Sequence, residues 1–129
     1  MKRCVASIVA VCVGATSAQA YYLSRVVVAG GTLELGFFSS VDPDCSTHGY
    51  ATVRVNNQPQ HGAIATKKGR GVLFALPNHL LHDCNARKAD GVHAYYRPEA
   101  GFTGSDNFTI DVIYPAGIER IIDYQVTVK

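Results

Sequence analysis

Tyr96-Arg97-Pro98-Glu99-Ala100-Gly101-Phe102-Thr103-Gly104-Ser105-Asp106-Asn107-Phe108-Thr109 is a turn-rich loop running into a strongly alternating strand. Pro98 fixes φ and lacks an N–H, so the strand before it has to end there. Gly101 and Gly104 allow turn geometries that a β-carbon opposes. Phe102 is placed to plug one end of a core, and Asp106 to accept hydrogen bonds from turn amides. Beyond the turn, Phe108, Ile110, Val112 and Tyr114 alternate with Asn107, Thr109, Asp111 and Ile113. Period-two alternation of β-branched and aromatic residues puts one set on a buried sheet face.

The same pattern recurs on both sides. Downstream, Pro115-Ala116-Gly117 makes a turn, and Ile122, Tyr124, Val126 and Val128 alternate with Ile121, Asp123, Gln125 and Thr127. Upstream, Val92, Ala94 and Tyr96 share a face opposite His93 and Tyr95, and Val53 and Val55 share one opposite Thr52 and Arg54. Residues 63–66 and 72–75 flank the polar run Lys67-Lys68-Gly69-Arg70-Gly71, which reads as a hairpin tip. Val26, Val28, Leu33 and Leu35 mark two opening strands around Gly30-Gly31. No stretch has the periodicity of an amphipathic helix. Residues 77–90 are the least regular and have room for one helical turn. About seven short strands in some 109 residues predict an all-β, antiparallel two-sheet sandwich.

The first twenty residues read as a secretory signal peptide: a basic Met1-Lys2-Arg3, an apolar run from Cys4 to Val13, and the small-residue site Ala18-Gln19-Ala20. The apolar run is too short for a permanent span. Cleavage is expected after Ala20, leaving a secreted or periplasmic domain over residues 21–129 with no membrane span. Lys2 and Arg3 leave with the peptide, so ten basic residues face ten acidic ones. That balance provides no electrostatic footprint for nucleic acid.

Asn57-Gln58-Pro59-Gln60-His61-Gly62-Ala63-Ile64 resembles the P-x-H-G-x-hydrophobic element of bacterial cadherin-like and immunoglobulin-like repeat domains. Residues 95–112 resemble the later signature of that family, Y-x-P followed by G-F-x-G-x-D-x-F-T and an alternating strand. Tyr124-Gln125-Val126-Thr127-Val128 is similar to its closing strand. The resemblance covers most of residues 57–128 and implies an immunoglobulin-like sandwich present here as a single copy. The cysteine pair and the segment His79-Leu80-Leu81-His82-Asp83-Cys84 lie outside the usual repeat pattern.

Cys45 and Cys84 remain after signal removal, and in an oxidising compartment such a pair forms a disulfide. The bridge would close a loop of about forty residues, with an upper estimate of about 4 kcal/mol from chain entropy. Cys45-x-x-His48 and His79-x-x-His82-x-Cys84 also have zinc or copper ligand chemistry. The disulfide consumes both sulfurs, so His48, His79 and His82 are the lesser candidates for a metal site, their plainer reading being loop residues. Asp106 with Asp42 and Asp44 falls short of the oxygen ligands that calcium needs.

No nucleophile elbow is present. His61 reads as a turn residue, and the sequon Asn107-Phe108-Thr109 sits at a strand entrance. Tyr21, Tyr22, Tyr50, Tyr95 and Tyr96 are read first as core and edge packing. No catalytic residue and no cofactor are assigned. The leading expectation is an exported, non-catalytic binding or structural module of the cell envelope or extracellular space. Its expected partner is another protein of that compartment, met through loops or an exposed strand edge. A periplasmic metal-binding protein and a small secreted hydrolase are the alternatives.

Overall fold

A computed structural model describes residues 20–75 and 77–129. They form β1 (Ala20–Val27), β2 (Leu33–Val41), β3 (Thr47–Tyr50), β4 (Thr52–Asn57), β5 (Gly62–Val72), a 3₁₀ turn (His82–Ala86), β6 (Lys88–Pro98), β7 (Gly104–Ile113) and β8 (Glu119–Val128). The signal peptide expected over residues 1–20 falls outside the described residues except at Ala20, which opens β1 opposite Ile121. Among the described residues no helix is long and apolar enough to cross a membrane.

The strands make two four-stranded sheets, ordered β1-β8-β7-β4 and β3-β2-β6-β5. The order β4-β7-β8 in one sheet and β5-β6-β2 in the other is that of an immunoglobulin-like sandwich. Two details amend the sequence reading. There are eight strands, because the short β3 pairs with β2. One pair is parallel, β1 lying beside β8 from Ala20↔Ile121 to Val27↔Val128.

The core follows the alternation. Tyr96, Phe108, Ile110, Val112, Tyr124, Val126 and Val128 are all at most 2 % exposed. Phe108 stacks between Tyr96 at 5.3 Å and Tyr124 at 5.1 Å, so one aromatic row bridges the sheets. The Tyr124 hydroxyl donates to the Leu35 carbonyl at 3.1 Å. Burial pushes its pKa up to about 12, because a phenolate there would be poorly solvated.

Asp106 fastens one end of the sandwich. Its buried carboxylate accepts from the backbone N–H of Gln60, His61 and Asn107, each at 3.0 Å, and from the Tyr96 hydroxyl at 2.8 Å. Three of these donors lie outside the turn in which the sequence places its partners. The carboxylate therefore ties the β4–β5 turn to β6 and to the start of β7. Burial and the neighbouring carboxylate both raise the Tyr96 pKa well above its usual value, so the hydroxyl stays a donor. Gly101 at φ 79° and Gly104 at φ 129° adopt the left-handed geometry that their identity permits. Phe102 is partly buried against the core and stacks on the His61 ring at 4.2 Å.

Two strand readings need correction. Residues 62–72 are one continuous strand paired with β6 from Gly62↔Pro98 to Val72↔Lys88, so Lys67-Lys68-Gly69-Arg70 is mid-strand and no hairpin tip. The run stays solvated because β5 lies at a sheet edge, and Gly71 and Gly91 leave room for the Phe37 ring, which a β-carbon at either would meet. In β1, Val27 is buried while Val26 and Val28 are 60 % and 68 % exposed. Its parity is set by the register with β8.

Candidate functional site

The end opposite Asp106 gathers three irregular connections: residues 42–46 between β2 and β3, residues 73–87 between β5 and β6, and residues 114–118 between β7 and β8. Loops clustered at one end of a rigid sandwich are where binding residues concentrate. Cys45 and Cys84 form the expected disulfide, with Cα atoms 5.4 Å apart, and it joins the first two of these connections. Cys84 is 1 % exposed. Cys45 has φ 68°, a left-handed geometry that costs a non-glycine residue about 1 kcal/mol. The turn that holds it is closed by Cys45 N–H to the Asp42 carbonyl at 2.8 Å and Asp42 N–H to the Ser46 carbonyl at 2.9 Å.

The long connection is held by side chains as well as by the bridge. Asn85 mimics a strand partner for Ala75: its Oδ1 accepts from the Ala75 N–H at 2.8 Å and its Nδ2 donates to the Ala75 carbonyl at 2.9 Å. His82 Nδ1 lies 3.1 Å from the same carbonyl. His79 Nδ1 accepts from the Leu81 N–H at 3.0 Å. The third connection is closed by Tyr114 N–H to Ile118 carbonyl at 2.8 Å, with Gly117 at φ 85°.

Between these connections lie two adjoining open hollows of about 400 and about 490 Å³. Ser39, His79, Leu81, Tyr114 and Arg120 line both. Arg120 lies over the Tyr114 ring at 5.5 Å and over Tyr21 at 6.0 Å, so its charge rims an aromatic floor. Large apolar side chains of these connections stand in solvent: Phe74, at one hollow, is 92 % exposed, Ile118, at the other, 55 %, and Leu80, between His79 and Leu81 in the chain, 74 %. Sequence reading picked out residues 77–90 but missed Phe74, Ile118 and Arg120. The available signal was the Leu73-Phe74-Ala75 run, apolar without alternation and followed closely by Pro77.

The histidine candidates divide. His48 and His79 face one hollow together with Asp42, whereas His82 turns to Ala75. His48 Nε2 is 2.6 Å from Asp42 Oδ1. Among the described residues no group of three or more histidine, cysteine or acidic side chains converges as a metal cage. Asp42 and Asp44 sit in the β2–β3 turn and Asp106 in the other sheet, so these three acids do not meet. The Ser46 hydroxyl and amide hold the Asp44 carboxyl below its usual pKa, the hydroxyl donating at 2.6 Å and the amide at 2.9 Å. Ser46, His48 and Asp42 have the composition of a hydrolytic triad. Serine and histidine each contact the aspartate, however, and no Ser46–His48 hydrogen bond joins them among the described residues. Proton relay requires that bond.

Beside this end, β7 and β8 carry a close pair of carboxylates. Asp111 is 6 % exposed and its Oδ1 has no hydrogen-bond partner among the described residues. The hydrogen bond with Asp111 and its charge raise the Glu119 pKa, with Arg54 on β4 partly opposing. A raised folded-state pKa stabilises the fold below the unfolded value and loses that contribution as pH rises through the folded one. Glu119→Gln is therefore expected to raise the melting temperature at neutral pH, with the difference from wild type closing below about pH 4. Thermal melts of both proteins at the two pH values check this. A lower melting temperature for the variant at neutral pH contradicts it.

The chain matches no known family model, and no curated protein matches it. Two solved structures are similar in overall arrangement. One is PbICP-C in complex with falcipain-2, at 10 % identity and a TM-score of 0.41, covering 89 % of this chain and 93 % of that one. The other is a Vibrionaceae Photobacterium 2,6-sialyltransferase in a ternary complex with CMP and lactose, at 8 % identity and a TM-score of 0.36. It covers 88 % of this chain but 18 % of that one. Similarity this distant leaves the functional reading to the residues themselves.

Proposed function

We propose that this chain is an exported, non-catalytic binding module of the cell envelope or extracellular space, a domain of the bacterial cadherin-like and immunoglobulin-like kind, with its contact surface at the disulfide-bridged end. The observation that carries the reading is the exposure of Phe74 and Ile118 at the Tyr114–Arg120 hollows, with Leu80 exposed on the same connection as Phe74, which a covalent bridge fixes. Exposed apolar clusters rimmed by polar groups mark interaction sites. Broad, open hollows suit a protein surface better than an enclosed small substrate. Export is supported by the bridge itself, which belongs to oxidising compartments, and by the basic and apolar start of the chain. The separate placement of Ser46 and His48 on Asp42 supports a role without turnover.

The test is capture of envelope or secreted proteins on the immobilised chain, wild type beside Phe74→Asp/Leu80→Asp. The variant is expected to recover at least about tenfold less of any specific partner, with unchanged near-ultraviolet circular dichroism. Equal recovery would overturn the assignment of this surface. His48, His79 and Asp42 on one hollow are what favours the metal-binding alternative, and zinc or copper retained at one equivalent through purification would select it.

A further inference from the structure

Among the described residues, the outer edge of β5 is the longest unpaired edge of the second sheet. β5 runs for eleven residues and pairs on one side with β6. In an antiparallel ladder, alternate residues aim their N–H and C=O groups away from the partner strand. Among the described residues no backbone group from another segment meets those of residues 63–72. Such an edge is a template for one more strand.

Its chemistry selects the occupant. Lys67, Lys68 and Arg70 are three of the ten basic residues outside the leader, placed within four positions. Arg70 is engaged by Asp90 at 4.0 Å and by the Lys88 carbonyl at 3.1 Å. Lys67 has no acidic partner among the described residues, and Lys68 lies 4.8 Å from the centre of the exposed Tyr50 ring. A second copy paired antiparallel about the middle of β5 would set the two Lys67 side chains directly opposite each other, which destabilises a strand pair. An acidic strand meets the opposite condition. On the outer face, Lys67 and Arg97 rim a shallow trough floored by Ala63 and Ala65. On the inner side, a hollow of about 450 Å³ between the β4 and β5 edges is lined by Ala51, Val53, Thr66, Lys68 and Val92. A strand added here meets a lysine beside small or apolar side chains on each of its two faces, Lys67 on one and Lys68 on the other.

We propose that the free edge of β5 takes up an extended segment of a partner protein, apolar toward its ends with adjacent acidic residues at its centre, as a further strand of the sheet. The proposal rests on the reading of the chain as a binding module but uses a surface distinct from the bridged end. The probe is a valine-rich peptide of about eleven residues with an adjacent pair of glutamates at its centre, one for each face, matched to the length of β5. It is compared with the same peptide N-methylated at alternate amides and with a lysine–valine peptide, using fluorescence anisotropy and amide hydrogen exchange.

The glutamate–valine peptide is expected to bind saturably and to slow exchange within residues 62–72, while the other two do not bind. Lys67→Glu/Lys68→Glu is expected to weaken it by at least about tenfold. Lys67→Gln/Lys68→Gln gives a smaller loss in the same direction should the charge reversal impair folding. Phe74→Asp/Leu80→Asp should leave the peptide affinity unchanged, which separates this edge from the bridged end. Equal binding of the N-methylated peptide would reduce the effect to charge attraction and overturn strand addition. Absence of saturable binding, or slowed exchange only outside β5, would overturn it as well.

Discussion

Replacing Asp106 with alanine is expected to destabilise the fold by about 3 kcal/mol, because it leaves a buried hydroxyl and neighbouring amides without their shared acceptor. The carboxylate is 2 % exposed and takes hydrogen bonds from Gln60, His61, Asn107 and Tyr96. Asp106→Asn keeps the shape but supplies a single acceptor oxygen, so an intermediate loss is expected. Tyr96→Phe removes one hydrogen bond and is expected to cost about 1 kcal/mol. Urea denaturation of the two single variants and Asp106→Ala/Tyr96→Phe gives their coupling directly, and a positive coupling of about 1 kcal/mol is expected for groups in one network. A loss below about 1 kcal/mol for Asp106→Ala would show that the corner is held by packing, with the carboxylate incidental.

The second large effect is expected at the bridge. Cys45→Ala/Cys84→Ala releases a loop with a sequence separation of 39, for which chain entropy gives a loss of up to about 4 kcal/mol. The loss should be unequal across the molecule. Residues 73–87 are tied down by the bridge and by the Asn85–Ala75 pair, whereas β6, β7 and β8 share a dense aromatic core. Amide exchange is therefore expected to speed up most in residues 73–87 and least in β7 and β8. Uniform acceleration would mean that the bridge stabilises the whole sandwich and does not organise its end. The same variant should recover less partner than wild type even where it remains folded, since the exposed apolar side chains lose their fixed arrangement.

The frame was legible where strands have one buried and one solvated face. β6, β7 and β8 alternate for that reason, and their faces fall as the pattern predicts except at Asp111, which is buried on the face expected in water. β5 was misread because its polar, glycine-containing middle has the composition of a turn. An edge strand can keep such residues in water, and Gly71 answers to the Phe37 ring from β2, a contact invisible in local sequence. β1 was misread in parity because Val26, Val27 and Val28 carry no alternation to choose between them. Of the site, Cys45 and Cys84 were legible from chemistry alone. The meeting of Phe74, Ile118, Tyr114 and Arg120 depends on three connections brought together by the sandwich, and no short-range pattern encodes it. The partners of Asp106 show the same limit, since Gln60 and His61 lie more than forty residues away.

The proposed contact surface is the disulfide-bridged end of the sandwich. Amide exchange of the protein with and without a captured partner tests it most directly. Protection is predicted to concentrate in residues 73–82 and 114–120, with an extension along β5 if strand addition contributes. Protection confined to residues 58–61 and 99–104, at the Asp106 corner, would contradict the account.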